Sequence, residues 1–369
     1  MKPERKSSRR EFLTGGRVDS PENVTDSSAE TAATNPGVMG EGDRSLHYLE
    51  HFSKHAMACE FELFFNMQQY SGSGTSALDA FGLIDELEEQ LTVYRDSSEV
   101  SHLNRNASKD WVPVESGLFA LLQRGLEVSR WTGGAFDMTS GELSRVWGFQ
   151  QRQGRVPEEA EITSALAQVG YQGVELDPDQ ERVRFRQEGL QLNLGGIGKG
   201  YALDRATDRL VENGLQDFVL HGGQSSVIAR GRETRQDAVA ENGWNIGLSD
   251  PLIPGRRLAE IYLKDQALGT SGTGRQGFYF QGRRYGHIID PRSGYPSDHC
   301  LSSTVIADSA ADCDALATAF FLMTPEEVAA FCEQHPEYRA VLVLPDKRTR
   351  KIRVEAFNMD PDGWTLIDS

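Results

Sequence analysis

Four glycines and one lysine stand between two runs of different periodicity at Asn193-Leu194-Gly195-Gly196-Ile197-Gly198-Lys199-Gly200. Upstream, Leu190, Leu192 and Leu194 alternate with polar residues, the pattern of a half-buried strand. Downstream, Tyr201, Ala202, Arg205, Ala206, Leu210 and Val211 recur at helical spacing. A turn of this composition at a strand-to-helix junction aims backbone N–H groups and the positive end of a helix at an anion. The chemistry it offers is the holding of a phosphate-bearing ligand; a tight turn without a ligand uses the same residues. It is not a P-loop, because Gly200 rather than Ser or Thr follows Lys199. A G-x-G-x-x-G run does occur at Gly272–Gly277, but strand-like Phe278-Tyr279-Phe280 follows where a dinucleotide site needs a helix.

A second pair lies in a helix expected over 309–323. Its apolar face is Cys313, Leu316, Ala317, Phe320 and Phe321. Asp314 and Thr318, four apart, stack on one face. A carboxylate beside a hydroxyl is a set of hard oxygen donors suited to magnesium. The same spacing lets the threonine bond back to the Asp314 carbonyl with the carboxylate simply solvated. His47, His51 and His55 also recur every fourth residue, as a helical metal stripe or as one face of a strand. No acidic or thiol co-ligands share that period, and a surface stripe is the reading.

The elements that must position these groups are read from pattern. With 369 residues the chain is long enough for one large domain or two modest ones. Residues 1–45 are polar and apolar-poor, the composition of a disordered segment. Within them Ser8-Arg9-Arg10-Glu11-Phe12-Leu13-Thr14 matches a twin-arginine export pattern, but residues 15–22 are polar where an apolar region is required. A cytoplasmic location is therefore favoured. Residues 46–355 form the folded domain and 356–369 a C-terminal tail. Helices are expected at 76–91 with Ser76 as N-cap, 116–131, 158–168, 309–323 and 325–334. Strands are expected from Ala56 to Phe65 and near 173–177, 182–186, 190–194, 217–221, 225–230, 244–248, 258–263, 277–280, 283–289, 302–307, 339–344 and 351–355. This mixture with many hairpin connections is α+β.

Composition narrows the partners. The 38 basic and 55 acidic side chains give a net charge of −17, which argues against nucleic acid or an anionic membrane. A phosphate ligand would then need local cations or a metal. Cys59, Cys300, Cys313 and Cys332 are scattered, with neither zinc nor disulfide spacing. No apolar run is long enough to span a bilayer.

Four motifs occur in one order: Gly133–Thr139, Asn193–Arg205, His287–Pro291 with Gly294-Tyr295-Pro296, and Asp314-Ala315-Leu316-Ala317-Thr318. Together, over about Met57 to Pro345, they resemble the ApbE-type flavin transferases. The resemblance implies a two-lobed α+β protein with mixed or antiparallel sheets and FAD in the cleft between lobes. It implies magnesium-dependent transfer of the FMN half of FAD to a threonine or serine hydroxyl of another protein, with AMP leaving. It also implies Asp314 and Thr318 as side-chain metal ligands and Gly196 as a backbone ligand. Met57, Tyr94, Ala135, Phe136, Asp137, Asn193, Lys199 and Ile288 fall where the family contacts FAD. His287 is the candidate for deprotonating the attacking hydroxyl, since an imidazole titrates in the range that role needs, and Asp290 either orients it or binds the turn; the same two residues could instead only brace the His-Ile-Ile-Asp-Pro loop. Asn193 and Gln224 stand where Asp is common. The acceptor implied is a redox or membrane electron-transport subunit acting in trans, since little chain follows residue 355. The family also offers the cell envelope as an alternative location. Cleavage of FAD to FMN and AMP by water, and FAD delivery without catalysis, are the alternative functions.

Overall fold

Chain reversal begins where the sequence suggests one strand. In a computed structural model, β1 (Leu49–Ala56) and β2 (Cys59–Asn66) pair antiparallel with Ala56 opposite Cys59. The run expected from Ala56 to Phe65 is thus the second arm of a hairpin. Its turn residues, Met57 and Ala58, are both left-handed, with φ of 48° and 60°. Such turns match the twist of the flanking strands. Neither residue is Gly, Asn or Asp, so the usual turn signal is missing. The structure describes residues 49–66, 69–70, 72–149, 153–233, 243–273, 277–346 and 351–367. His47, the twin-arginine-like motif, the segment 1–45 and Gly274 to Gln276 of the G-x-G-x-x-G run lie outside them.

The hairpin opens an eight-stranded sheet. Its further strands are β6 (Phe218–Gly222), β7 (Ser226–Arg230), β10 (Gln266–Gly272), β13 (Ser302–Ala307), β14 (Arg339–Pro345) and β15 (Ile352–Phe357). The order is β1-β2-β6-β7-β10-β13-β14-β15, and every neighbouring pair is antiparallel. One face carries α1 (Gly74–Leu91), α6 (Gly198–Glu212) and α7 (Ala310–Leu322). The other face packs Val219, Val227, Leu268, Ile306 and Val341 against Trp244, Leu248, Ala259 and Ile261 of a small second sheet. That sheet is β8 (Trp244–Ser249), β9 (Arg257–Leu263) and β16 (Trp364–Leu366), in the order β16-β9-β8. The expected C-terminal tail therefore contributes a strand, with Trp364 opposite Ile261.

The remaining elements complete the α+β architecture. They are α2 (Glu99–Asn106), α3 (Ser116–Trp131), α4 (Gly141–Val146), α5 (Glu159–Leu166), α8 (Pro325–Gln334), the sheet of β3 (Val112–Pro113), β4 (Val174–Asp177) and β5 (Arg182–Phe185), and the hairpin of β11 (Gly277–Phe280) and β12 (Arg283–Gly286). Residues from Leu46 onward group as one compact unit. Among the described residues no helix is long and apolar enough to cross a membrane. Ser76 lies inside α1, which starts one residue after Ser73.

Helix α7 sits at the centre because it is apolar or partnered nearly all round. Every residue in it is buried except Thr318. Neighbouring backbones reach it only where side chains are missing. A Cβ on Gly269 of β10 would stand 2.6 Å from the Cys313 carbonyl carbon, and one on Gly200 would overlap the Ala310 carbonyl oxygen. Gly200 is thus a helix-packing glycine, whatever else the turn does.

Candidate functional site

The segment before the glycine turn is extended but joins no ladder. Leu190, Leu192 and Leu194 are buried as alternation requires. However, the Leu192 N–H donates to Asn104 Oδ1 at 2.8 Å and its carbonyl accepts from Asn104 Nδ2 at 3.0 Å. One side-chain amide replaces the neighbouring strand, so the strand expected at 190–194 reduces to a single bridge, Ser140 to Gln191. Asn193 then turns the chain: its Oδ1 accepts from Gly195 N at 2.9 Å. An aspartate would accept the same bond, so the amide suffices for this turn.

The turn meets α7 at Thr318. A Cβ on Gly196 would lie 3.7 Å from Thr318 Oγ1 and 3.2 Å from Phe136 Cε2. Gly196, Asp314 and Thr318 are therefore gathered in one place from two distant stretches. The Thr318 hydroxyl is 3.0 Å from the Asp314 carbonyl and 3.1 Å from Ser271 Oγ. The bond back to the helix and a ligand role are compatible. A hydroxyl that donates to Asp314 O keeps its lone pairs for another partner.

Asp314 is the buried anion of the site. Its Oδ1 accepts from Ser226 Oγ at 2.5 Å, and its Oδ2 accepts from Gly200 N at 2.8 Å and from Lys199 Nζ at 3.3 Å. Lys199 Nζ also donates to Ser225 Oγ at 3.1 Å and to Ser226 Oγ. The N–H of Gly200, in the first turn of α6, is thus directed at this protein's own carboxylate. The turn's composition points to a phosphate-bearing ligand; the anion that its Gly200 N–H meets is Asp314. Ser225, Ser226 and Ser271 were not singled out from sequence; the only hint is the Gly222-Gly223-Gln224 turn that delivers the first two.

Two further groups hold α7 in position. Asp204, in α6, accepts from Ala310 N at 2.7 Å, Ala311 N at 3.0 Å and Ser309 Oγ at 2.8 Å. Burial pushes its carboxyl up to about 6, against the pull of those same donors. Arg124, in α3, donates two bonds to Asp312, at 2.7 and 2.6 Å. Tyr338 adds a third to the same carboxylate at 3.0 Å.

The loop carrying His287 is tied to the far end of α7. Asp290 takes two bonds from the Arg292 guanidinium at 2.9 and 2.8 Å and one from Arg292 N at 2.9 Å. Arg292 in turn donates to the Leu322 carbonyl at 2.9 Å. Of the two expectations for Asp290, these bonds match turn binding. His287 and Ile288 follow β12, half-buried.

Other sequence candidates differ in what they present. Ala135 and Phe136 are buried, Phe136 beneath the glycine turn. Asp137 is buried too, accepting from Thr139 N and Oγ1 at 2.8 and 2.6 Å and from Tyr171 N at 2.9 Å. Burial raises its carboxyl above the ordinary range. Its carboxylate pins loops together and does not point outward. Tyr94 is 72% exposed on the loop after α1. Met57 occupies the strained hairpin tip, with Cys59 packed near Gly223. His51 and His55 share the exposed face of β1, where His51 reaches Glu62 at 3.1 Å and stacks on Phe64, a surface stripe. The four cysteines are free thiols.

One carboxylate and one hydroxyl of a buried helix, set against a glycine turn and a lysine, define an α+β protein with a split hard-oxygen site. The ApbE family model matches residues 57–342, and the chain belongs to the ApbE family. It is 32% identical to the FAD:protein FMN transferase of Klebsiella pneumoniae (strain 342), covering 82% of this chain and 93% of that one. It is 32% identical to the FAD:protein FMN transferase of Treponema pallidum (strain Nichols), covering 74% and 78%. The ApbE protein of Thermotoga maritima superposes with a TM-score of 0.73 at 29% identity, covering 83% and 96%. The apo flavinyl transferase ApbE of Pseudomonas stutzeri gives 0.73 at 28%, covering 86% and 96%.

Proposed function

We propose that this protein transfers the FMN half of FAD to a threonine or serine hydroxyl of another protein, releasing AMP. The observation that carries the reading is the meeting of the glycine turn with α7, Gly196 beside Thr318 and Gly200 bonded to Asp314, in a chain of this family. The donor set suits magnesium. It offers one buried carboxylate and one hydroxyl, leaving room for phosphate oxygens and water, which this ion retains. Asp314 and Thr318, with the Gly196 carbonyl, would hold the ion. When bound, it neutralises charge on the pyrophosphate.

The residues of the chain supply the rest. The acceptor oxygen attacks the phosphorus of the FMN half, the bond from that phosphorus to the bridging oxygen breaks, and AMP departs with the bridging oxygen. His287 takes the proton of the attacking hydroxyl. Such transfer depends on positioning and charge neutralisation more than on covalent help. In this reading Lys199 serves the phosphates, and Met57, on the hairpin tip, and Tyr94, on the loop after α1, contact the flavin nucleotide. The acceptor is a redox protein or a membrane electron-transport subunit.

The test mixes the protein with FAD, magnesium and a candidate acceptor carrying an exposed threonine in a flavinylation motif. Covalent flavin fluorescence on the acceptor together with AMP supports transfer. AMP and FMN without labelled acceptor means water is the acceptor instead. FAD binding with no AMP under either condition leaves a delivery protein and overturns the catalytic reading.

A further inference from the structure

The cation that this site already contains is Lys199. Its ammonium contacts Asp314 Oδ2 at 3.3 Å, and the two side chains are 20% and 9% exposed. Its other contacts are the neutral hydroxyls of Ser225 and Ser226. Ser226 also donates to Asp314 Oδ1, so the same serine touches both charges. A buried carboxylate without a counter-charge is costly, and Lys199 supplies one to Asp314. A dication on Asp314 and an ammonium at contact distance from the same carboxylate repel, and the repulsion is strong where water is excluded.

We infer that Lys199 is an internal counter-ion that occupies Asp314 in the metal-free protein and leaves it when a divalent cation binds, thereby setting the metal affinity. The inference rests on the reading of Asp314 and Thr318 as metal ligands. Released from Asp314, the lysine stays beside the site on the Ser225 and Ser226 hydroxyls. It is then a positioning cation whose movement is coupled to metal loading. The coupling lowers affinity for the free ion and favours a ligand that brings negative charge along with it.

The experiment titrates the full chain with Mn²⁺ in the absence of FAD, by electron paramagnetic resonance and calorimetry. Lys199→Met is expected to bind Mn²⁺ at least about tenfold more tightly than the wild type, since a competing unit charge is removed. In the wild type, acylation of Lys199 by acetic anhydride, read by mass spectrometry, is expected to speed up when Mn²⁺ is saturating. Unchanged or weaker affinity in a folded Lys199→Met variant overturns the inference, and so does a Lys199 labelling rate that Mn²⁺ leaves unmoved. If the Met variant does not fold, the wild-type labelling decides alone. Asp314→Asn separates the two levels. Wild-type affinity no better than that of Asp314→Asn removes the ligand assignment itself and the inference with it. Wild-type binding through Asp314 with no Lys199 effect removes only the counter-ion.

Discussion

Gly196 faces Thr318 across the site: a Cβ on the glycine would stand 3.7 Å from the threonine hydroxyl. The same Cβ would stand 3.2 Å from Phe136, closer than the ring tolerates without moving. Gly196→Ala is therefore expected to fold, at a cost of about 1–3 kcal/mol from overpacking. It should also displace the turn from α7 and lower flavin transfer by at least tenfold, the loss that misplacement of about an ångström can bring. Thermal melting and a transfer assay on the same sample check both parts. A variant with full activity would show that the turn needs no close approach to Thr318.

The two α7 donors are distinguished by conservative changes. Thr318→Ser keeps the hydroxyl and is expected to retain most activity. Thr318→Val keeps the shape and loses the hydroxyl, and is expected to need at least tenfold more magnesium for half-maximal activity if the hydroxyl is a ligand. Asp314→Asn should abolish magnesium-dependent turnover. Activity measured against magnesium concentration reads all three. Equal curves for the Val and Ser variants would leave Thr318 as a packing residue only.

His287 and Asp290 are expected to separate into chemistry and support. His287→Ala should lower the transfer rate by roughly 10²–10⁴-fold with FAD affinity unchanged, the usual loss of a general base. Asp290→Asn loosens the Arg292 bond that ties the loop to the Leu322 carbonyl. It should lower stability and raise the apparent requirement for acceptor before it affects the pH profile. An unchanged transfer rate in His287→Ala removes the histidine from the reaction.

How much of this was legible in the sequence depends on where each backbone found its partner. Helices α3 and α8 begin and end where periodicity and turn residues place them, because their own side chains cap and bury them. Helix α2 is missing from the elements read by pattern, since only Val100, Ser101 and Leu103 of its eight residues are buried. Strand β10 is hidden by its glycines and small residues. Gly269 is there because α7 passes against it, a tertiary fact with no local signature. The extended run at 190–194 shows the reverse error: its alternation is real, but Asn104 takes the bonds a strand would have made. At the site, motif order brought Gly196, Asp314 and Thr318 forward. The serines that grip Lys199 and Asp314 carry no recognisable spacing.

Asp204 offers a pH-dependent check on how α7 is held. Its carboxyl is pushed up to about 6 from an ordinary 3.8, with burial the main cause. The folded protein therefore holds a proton there that the unfolded chain has already released. The stabilisation is fully present below about pH 3.8 and is lost as pH rises through about 6, a change of roughly 3 kcal/mol for a shift of about two units. Asp204→Asn removes this titration and leaves the other groups in place. The variant also loses an acceptor for the α7 N–H groups, which costs about 1–3 kcal/mol. Urea unfolding of both proteins at several values between pH 4 and 7 reads the difference. The wild type's advantage over Asp204→Asn is expected to shrink steadily as pH rises across that range. A difference that stays flat would mean Asp204 is ionised throughout, held by the Ala310 and Ala311 N–H groups and the helix end strongly enough to cancel its burial.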